Sequence, residues 1–260
     1  MIGLRACVTG LTVAAACGLI LTSGCAADVV DPKPAASRPD FTGLWKLADL
    51  DTVLRSGEHD AENLTPKARA AREFFTRHSR GFQDQAVGHC VPHGLPWAMT
   101  SPARDYLHDI YQTEDRITLL FEGMDVYRLI HFNKTSVPEN HSSGTWGYSM
   151  AHWEGDTLVI VTKGLSAKNP FGLNQRSEKA TVTERWRLVQ DPKYGRALDI
   201  DIVIDDPEVF IKPSRGHELL VPAAADAVLM PYGCTESLWE DYVAGRMQEI
   251  EKSESKRGKK

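Results

Sequence analysis

Short alternating runs of apolar and polar residues, separated by turn residues, fill most of the chain from Tyr106 onward. In Leu198–Ile204, aliphatic side chains at every second position alternate with aspartates at 199 and 201. Because successive side chains of a strand point to opposite faces, this pattern predicts strands with one dry and one wet face, typical of antiparallel sheets. The predicted strands are Tyr106–Gln112, Ile117–Glu122, Val126–Phe132, Tyr148–Trp153, Thr157–Thr162, Thr181–Val189, Leu198–Ile204 and Ala227–Tyr232.

Three further elements flank these strands. The stretch "DFTGLW" predicts a short strand where the folded domain begins at Phe41. Thr65 and Pro66 predict a helix start, with Thr65 as N-cap and Pro66 as first helical residue, and the helix is expected to end near Ser79 to Gly81. The last stretch, "SLWEDYVAGRMQEIEKSESKRGKK", begins as a helix and is expected to become a charged tail over 243–260. The fold class is therefore a mainly β protein: an antiparallel β-barrel or closely related sandwich over 41–242, with one helix before and one after.

The first 25 residues have the pattern of an export signal. One basic residue, Arg5, precedes an uncharged apolar run from Ala6 to Leu21, which is followed by small residues. The ending from Leu21 to Cys25 is similar to a bacterial lipoprotein box, although Thr22 stands where such boxes usually carry an aliphatic residue. We expect Cys25 to be acylated and residues 26–40 to form a flexible tether; ordinary cleavage after Ala27 is the alternative. The expected location is periplasmic, with the membrane contacted only through the lipid.

Composition sets limits on the class of partner. The chain has 260 residues, of which 42% are hydrophobic and 25% charged, as in ordinary globular proteins, and its formal net charge is -5. Phosphate backbones require a basic field, so a nucleic-acid partner is not expected.

Two cysteines remain once the leader and Cys25 are set aside. Cys90 and Cys234 are an even number in an oxidising compartment, which predicts one disulfide between them. The alternative is a soft metal site at "GHCVPHG", where His89, Cys90 and His93 lie close in sequence. We expect no metal, because no second cluster of ligands appears.

Several motifs together resemble an uncharacterised family of exported bacterial proteins. They are a hairpin, "WEGDTLV", a strand, "TERWR", a segment, "DIVIDDPEVFIKP", and a terminal Cys-x-Glu, here Cys234-Thr235-Glu236. The resemblance covers about Phe41 to Glu236 and implies no particular activity. This sequence has Tyr148 and His152 where such proteins look more like His and Arg. Gly43-x-Trp45 is similar to the start of lipocalin-like barrels, where the tryptophan plugs the closed end.

Two charged side chains are predicted to point into the barrel. In Thr181–Val189, Glu184 shares a face with Val182, Trp186 and Leu188, and in Val126–Phe132, Arg128 shares a face with Ile130 and Phe132. A buried charge is costly alone, so we expect Arg128 and Glu184 to pair. The pair is either structural, or a site in which Arg128 anchors a ligand and Glu184 moves a proton.

Histidine and aromatic side chains supply the other candidates. His152 is the third predicted catalytic residue, and it shares a strand face with Tyr148 and Met150; His108 shares one with Tyr106 and Ile110. The expected ligand-binding residues are Tyr148, His108, Tyr106, Phe121 and Trp186.

Motifs for serine hydrolases, nucleotide binding, zinc proteases and haem attachment are absent from the sequence, so we expect any catalysis to need no cofactor. The leading hypothesis is a cell-envelope protein that binds a small apolar or aromatic molecule in the barrel. The alternatives are an acid/base enzyme (isomerase, cyclase, lyase or hydrolase) that acts on a hydrophobic substrate in the same cavity, and a structural protein with a filled barrel.

Overall fold

The described part of the chain folds around one β-barrel. The computed structural model describes residues 38–48, 61–92, 94–96, 98, 106–167, 176–233 and 239–257. None of the helices within these ranges is both long and apolar enough to cross a membrane.

Nine strands form the barrel, and it is closed. Each strand pairs with the next in antiparallel orientation, except that the fourth and fifth are parallel, and the first pairs with the ninth. Closure gives every strand of the barrel two neighbours, which fits a lipocalin-like architecture. The strands are β1 Gly43–Leu47, β2 His108–Gln112, β3 Arg116–Phe121, β4 Val126–Phe132, β5 Tyr148–Glu154, β6 Thr157–Lys163, β7 Thr181–Asp191, β8 Gly195–Asp205 and β9 Ser214–Pro222.

Two α-helices accompany the barrel, as the sequence predicts. Helix α1 spans Pro66–His78, and the Thr65 hydroxyl accepts a hydrogen bond from the Ala68 N–H at 3.2 Å. Helix α2 spans Trp239–Arg257 and therefore continues through most of the segment expected to be a charged tail. Phe75 of α1 and Ile250 of α2 belong to one apolar cluster, so the two helices pack on each other.

Two strand assignments differ from the prediction. Ala227–Tyr232 is not a strand, and β9 was not predicted. In the first segment, the N–H groups of Met230 and Tyr232 donate to the carboxylates of Glu122 and Asp125 instead of to a neighbouring strand. Side-chain acceptors thus satisfy the backbone of a segment whose apolar run, Ala227–Tyr232, suggests a strand.

The "WEGDTLV" segment is a hairpin. Glu154 pairs with Thr157 across the β5–β6 turn, so the turn has two residues, and Gly155 has a φ of 61°. Tight hairpin turns need positive φ, which glycine adopts without steric cost.

The N-terminal segment covers one end of the barrel, which we call the Phe41 end. The fully buried Phe41 ring stacks on Trp153 with centroids 5.7 Å apart and meets Trp186 edge-on at 5.8 Å. The Trp45 indole N–H donates to the Phe41 carbonyl at 2.9 Å, and the Arg196 guanidinium lies 4.6 Å from the Trp45 ring centroid. Large aromatic side chains therefore pack together at this end.

Candidate functional site

A buried ion pair lies inside the barrel. Arg128 of β4 and Glu184 of β7 are 2% and 0% exposed, and their side chains form two hydrogen bonds of 2.5 and 3.1 Å. Strand alternation predicts this pairing, because each residue shares its face with apolar neighbours. A bidentate contact between guanidinium and carboxylate is the strong form of such a pair.

Neighbouring side chains complete the hydrogen bonding of this pair. The Arg128 guanidinium donates to the hydroxyls of Ser149 and Thr162, each at 3.0 Å. The Trp186 indole N–H donates to Glu184 at 3.1 Å. Both charged groups are thus hydrogen-bonded to protein atoms, as in a structural ion pair. A catalytic role for Arg128 and Glu184 stays a prediction.

A second interior carboxyl, Glu218 of β9, was missed by the sequence analysis. Glu218 is 3% exposed, and among the described residues its Oε2 atom has no hydrogen-bond partner. Burial, followed by the charge of Glu184, raises the pKa of the Glu218 carboxyl well above its ordinary value. The interior therefore holds one carboxylate paired with arginine and one carboxyl that favours its neutral form.

Aromatic side chains gather at the opposite end of the barrel, which we call the Phe121 end. Phe121 is the last residue of β3, and its ring centroid lies 4.9 Å from His108, 5.9 Å from Tyr106 and 6.2 Å from Trp146. We call these four residues the aromatic cluster. The Trp146 indole N–H is buried and has no partner within the described ranges. Three predicted ligand-binding residues, Tyr106, His108 and Phe121, therefore lie together.

His108 contributes a neutral ring to this cluster. The side chain points into the barrel and is 6% exposed. Burial lowers the pKa of His108 to about 4, because the charged imidazolium would lose its hydration. At neutral pH the aromatic cluster therefore carries no positive charge from His108.

The other predicted site residues lie elsewhere. In β5 the inward-facing residues are Ser149, Ala151 and Trp153, so Tyr148 and His152 lie on the outer face. His152 is 60% exposed and pairs with Glu154 at 3.3 Å, while the Tyr148 ring stacks on His131 at 4.8 Å. The sequence pattern leaves the inward face of this strand open; the structure places His152 and Tyr148 away from the barrel interior, and their catalytic and ligand-binding roles stay predictions.

Trp186 does lie inside the barrel. It is 1% exposed, it contacts Phe41, and its N–H is held by Glu184. Its place is in the core beside the ion pair, apart from the aromatic cluster.

A cleft adjoins the aromatic cluster and shares Phe121 with it; we call it the Phe121 cleft. It has a volume of about 290 Å³ and lies between the β3–β4 connection and the segment around Met230. Most of its lining is apolar: Leu120, Phe121, Val126, Leu229, Met230 and Pro231, with Glu122 and Asp125 as the polar members. Its size is near the lower end of small-molecule sites.

A second cleft, the Trp153 cleft, lies at the Phe41 end. It is larger, at about 580 Å³, and Phe132 and Trp153 provide its apolar surface. Its remaining lining is polar or charged: Arg38, Asp40, Gln112, Thr113 and Glu114. An apolar ligand would therefore find less matching surface here than in the Phe121 cleft.

Of the cysteines with a predicted role, the structure describes Cys90. Cys25, Cys234 and His93 lie outside the described residues, so the disulfide between Cys90 and Cys234 stays a prediction. Among the residues that the structure describes, no three His, Cys, Asp or Glu side chains come together as a metal site. The His89 ring instead contacts Tyr242 at 4.1 Å and bonds the Gln83 carbonyl at 2.9 Å.

Comparison with protein-family models finds no matching family, and comparison with curated proteins finds no match. The resemblance to exported bacterial proteins therefore stays a prediction from the motifs.

Proposed function

We propose that this protein binds a small apolar or aromatic molecule at the Phe121 end of its barrel. The observation that carries this proposal is the Phe121 cleft, whose apolar lining continues into the aromatic cluster through one shared side chain. Aromatic rings offer flat apolar surface and favour ring-to-ring contacts at centroid distances of about 4.5–7 Å. The proposal includes the cell envelope as the place of binding, on the ground of the N-terminal leader pattern.

A titration with a neutral fluorescent aromatic probe tests the binding site. N-phenyl-1-naphthylamine is uncharged at neutral pH and gains fluorescence in apolar surroundings, so the full-length chain should bind it saturably. Phe121→Leu keeps apolar volume but removes the ring, and should weaken binding by about 3- to 10-fold.

Phe132→Leu is the matched control, because Phe132 is also an inward-facing phenylalanine but lines the Trp153 cleft. Its affinity for the probe should equal that of the wild type. A loss of affinity in Phe132→Leu alone would show that the probe binds at the Phe41 end instead. Absence of saturable binding by the wild type would contradict the proposed function.

Acid/base catalysis on a hydrophobic substrate is the second candidate, and the two interior carboxyls favour it. Glu184 is held by Arg128, whereas Glu218 has a raised pKa and an oxygen without a partner among the described residues. A buried carboxyl with a raised pKa, such as Glu218, is a feature that acid/base enzymes use to hold and transfer a proton. Native mass spectrometry of protein purified from its own host would identify a retained molecule. That molecule is then incubated with the protein. A binder leaves its mass and isomeric form unchanged, whereas an enzyme changes one of them.

A further inference from the structure

The charged groups of the Phe121 cleft are both acidic. Glu122 and Asp125 belong to its lining, and no lysine, arginine or histidine of the described residues does. The local field at this cleft is therefore negative, which favours positively charged ligands over neutral ones and disfavours anions.

Backbone hydrogen bonds fix both carboxylates at the cleft. Glu122 accepts from the N–H groups of Leu107 at 2.9 Å and Met230 at 2.8 Å. Asp125 accepts from the N–H groups of Tyr232 at 2.8 Å and Gly233 at 3.3 Å. Each carboxylate oxygen has two lone pairs, so each retains capacity to accept a hydrogen bond from a ligand. The negative charges are thus held in place before a ligand arrives, which reduces the entropic cost of using them.

Aromatic rings at and beside the cleft add a second attraction for cations. The Phe121 ring lines the cleft, and the Tyr106 ring contacts it and also the Tyr232 ring, 5.6 Å away. A cation close to an aromatic face is attracted by the ring's negative quadrupole. Two independent features, fixed carboxylates and nearby aromatic rings, therefore favour the same ligand charge.

We propose that the Phe121 cleft selects hydrophobic amines in their protonated form, with the apolar body against the cleft wall and the ammonium group at Glu122 and Asp125. This inference rests on the proposed function, since it assigns a charge class to the ligand of the same site. A hydrophobic carboxylic acid of equal shape is expected to be the weakest ligand.

Three probes that share one ring system and differ in charge provide the test. They are 1-naphthylmethylamine, 1-naphthalenemethanol and 1-naphthoic acid, each measured by its ability to displace the neutral fluorescent probe from the full-length chain. The amine should bind about 10-fold more tightly than the alcohol at low salt, and the acid more weakly than the alcohol. Raising the salt concentration should reduce the difference in affinity between the amine and the alcohol, because salt screens charges that lie at the surface.

Glu122→Gln and Glu114→Gln form a matched pair of charge-removing variants, since Glu114 lines the Trp153 cleft. Glu122→Gln should reduce the amine-to-alcohol affinity ratio several-fold while the alcohol binds as before, which shows that the cleft is intact. Glu114→Gln should leave the ratio unchanged. If the wild type binds all three probes equally, the charge preference is wrong but the proposed function stands. If none of the three displaces the neutral probe, the proposed function fails as well.

Discussion

Arg128 is costly to bury inside the barrel, because a guanidinium keeps its charge in any protein environment. Its guanidinium donates hydrogen bonds to one carboxylate and two hydroxyls, those of Glu184, Ser149 and Thr162. Desolvation of two ions costs several kcal/mol each, so the net contribution of such a pair to stability is small. The loss of one partner is costly, because the other charge then stays buried alone.

Arg128→Ala and Glu184→Ala should therefore each lower the free energy of unfolding by about 3–5 kcal/mol. The physical reason is the same for both variants: the remaining charge loses the opposite charge to which it is hydrogen-bonded and stays buried. Urea unfolding followed by tryptophan fluorescence measures this change.

The double variant Arg128→Met with Glu184→Leu is the control for this explanation. It removes both charges and keeps apolar volume, so it should be more stable than either single variant. Single-variant losses that simply add in the double variant would contradict the buried pair as their cause.

Glu218 makes stability depend on pH in a predictable direction. Its pKa in the folded protein is raised above the ordinary 4.5, by burial first and by Glu184 second. Its contribution to stability is fully present below pH 4.5 and is lost as pH rises through the folded-state pKa. Glu218→Gln removes this ionisation, so the variant should gain stability relative to wild type as pH rises above 4.5, by at most about 1.4 kcal/mol per pH unit.

Urea unfolding of wild type and Glu218→Gln at a series of pH values measures this difference. The titration of His108, whose folded pKa is about 4, is common to both proteins and so cancels in the comparison. Parallel stability curves for the two proteins from pH 4.5 to 9 would show that Glu218 ionises as freely in the folded state as in the unfolded chain.

Strands β5 and β9 show where alternation fails to assign a face. In β5 the inward positions include Ser149 and Ala151, because small side chains leave room for Arg128, whose Nε donates to the Ser149 hydroxyl. Apolarity alone therefore suggests the opposite face, which carries Tyr148 and Met150. Alternation works in β4 and β7, where inward charged residues are surrounded by large apolar ones.

Strand β9 has no clear period because its C-terminal half is buried on both faces. Leu220 belongs to the barrel core, while Leu219 and Val221 form an outer cluster with Ala197. A strand covered on both sides reads as a continuous apolar run, which does not distinguish strand from helix. Glu218 lies in this strand, and for that reason no sequence signal marked it as an interior residue.

Helix α2 is hydrogen-bonded to one buried carboxylate, in addition to its apolar contacts with α1. Asp84, which is 1% exposed, accepts hydrogen bonds from the Tyr242 hydroxyl at 2.7 Å and from Arg246 at 3.2 Å. It also accepts from the Arg80 backbone N–H at 2.6 Å. Asp84→Ala removes the buried acceptor that these three donors share and should cost about 2–4 kcal/mol, with faster hydrogen exchange along α2.

Glu249→Ala is the control for Asp84, because Glu249 also pairs with Arg246, at 3.0 Å, but is 64% exposed. An exposed pair contributes about 0–1 kcal/mol, so exchange along α2 should stay close to that of the wild type. If the two substitutions had equal effects on hydrogen exchange, Asp84 would have no specific role in holding α2.

The two ends of the barrel differ in a way that organises the whole molecule. Phe41 and its aromatic partners lie at one end beside the mostly polar Trp153 cleft, whereas the aromatic cluster and the mostly apolar Phe121 cleft lie at the other. The barrel class and three residues of the aromatic cluster follow from sequence patterns. The clefts do not, because the segment around Met230 is held by side-chain carboxylates that no periodicity reveals.

The location of the whole molecule is predicted to depend on Cys25, which lies outside the described residues. An apolar run that ends at Gly24-Cys25, followed by a Pro- and Ala-rich stretch, is the pattern of a lipidated, tethered protein. Cys25→Ser removes the thiol that is predicted to be acylated and should move the protein from the membrane fraction to the soluble periplasmic fraction. Cys17→Ser, a cysteine within the apolar run, should leave the distribution unchanged. A soluble wild type whose N-terminus is Asp28 would instead establish cleavage after Ala27.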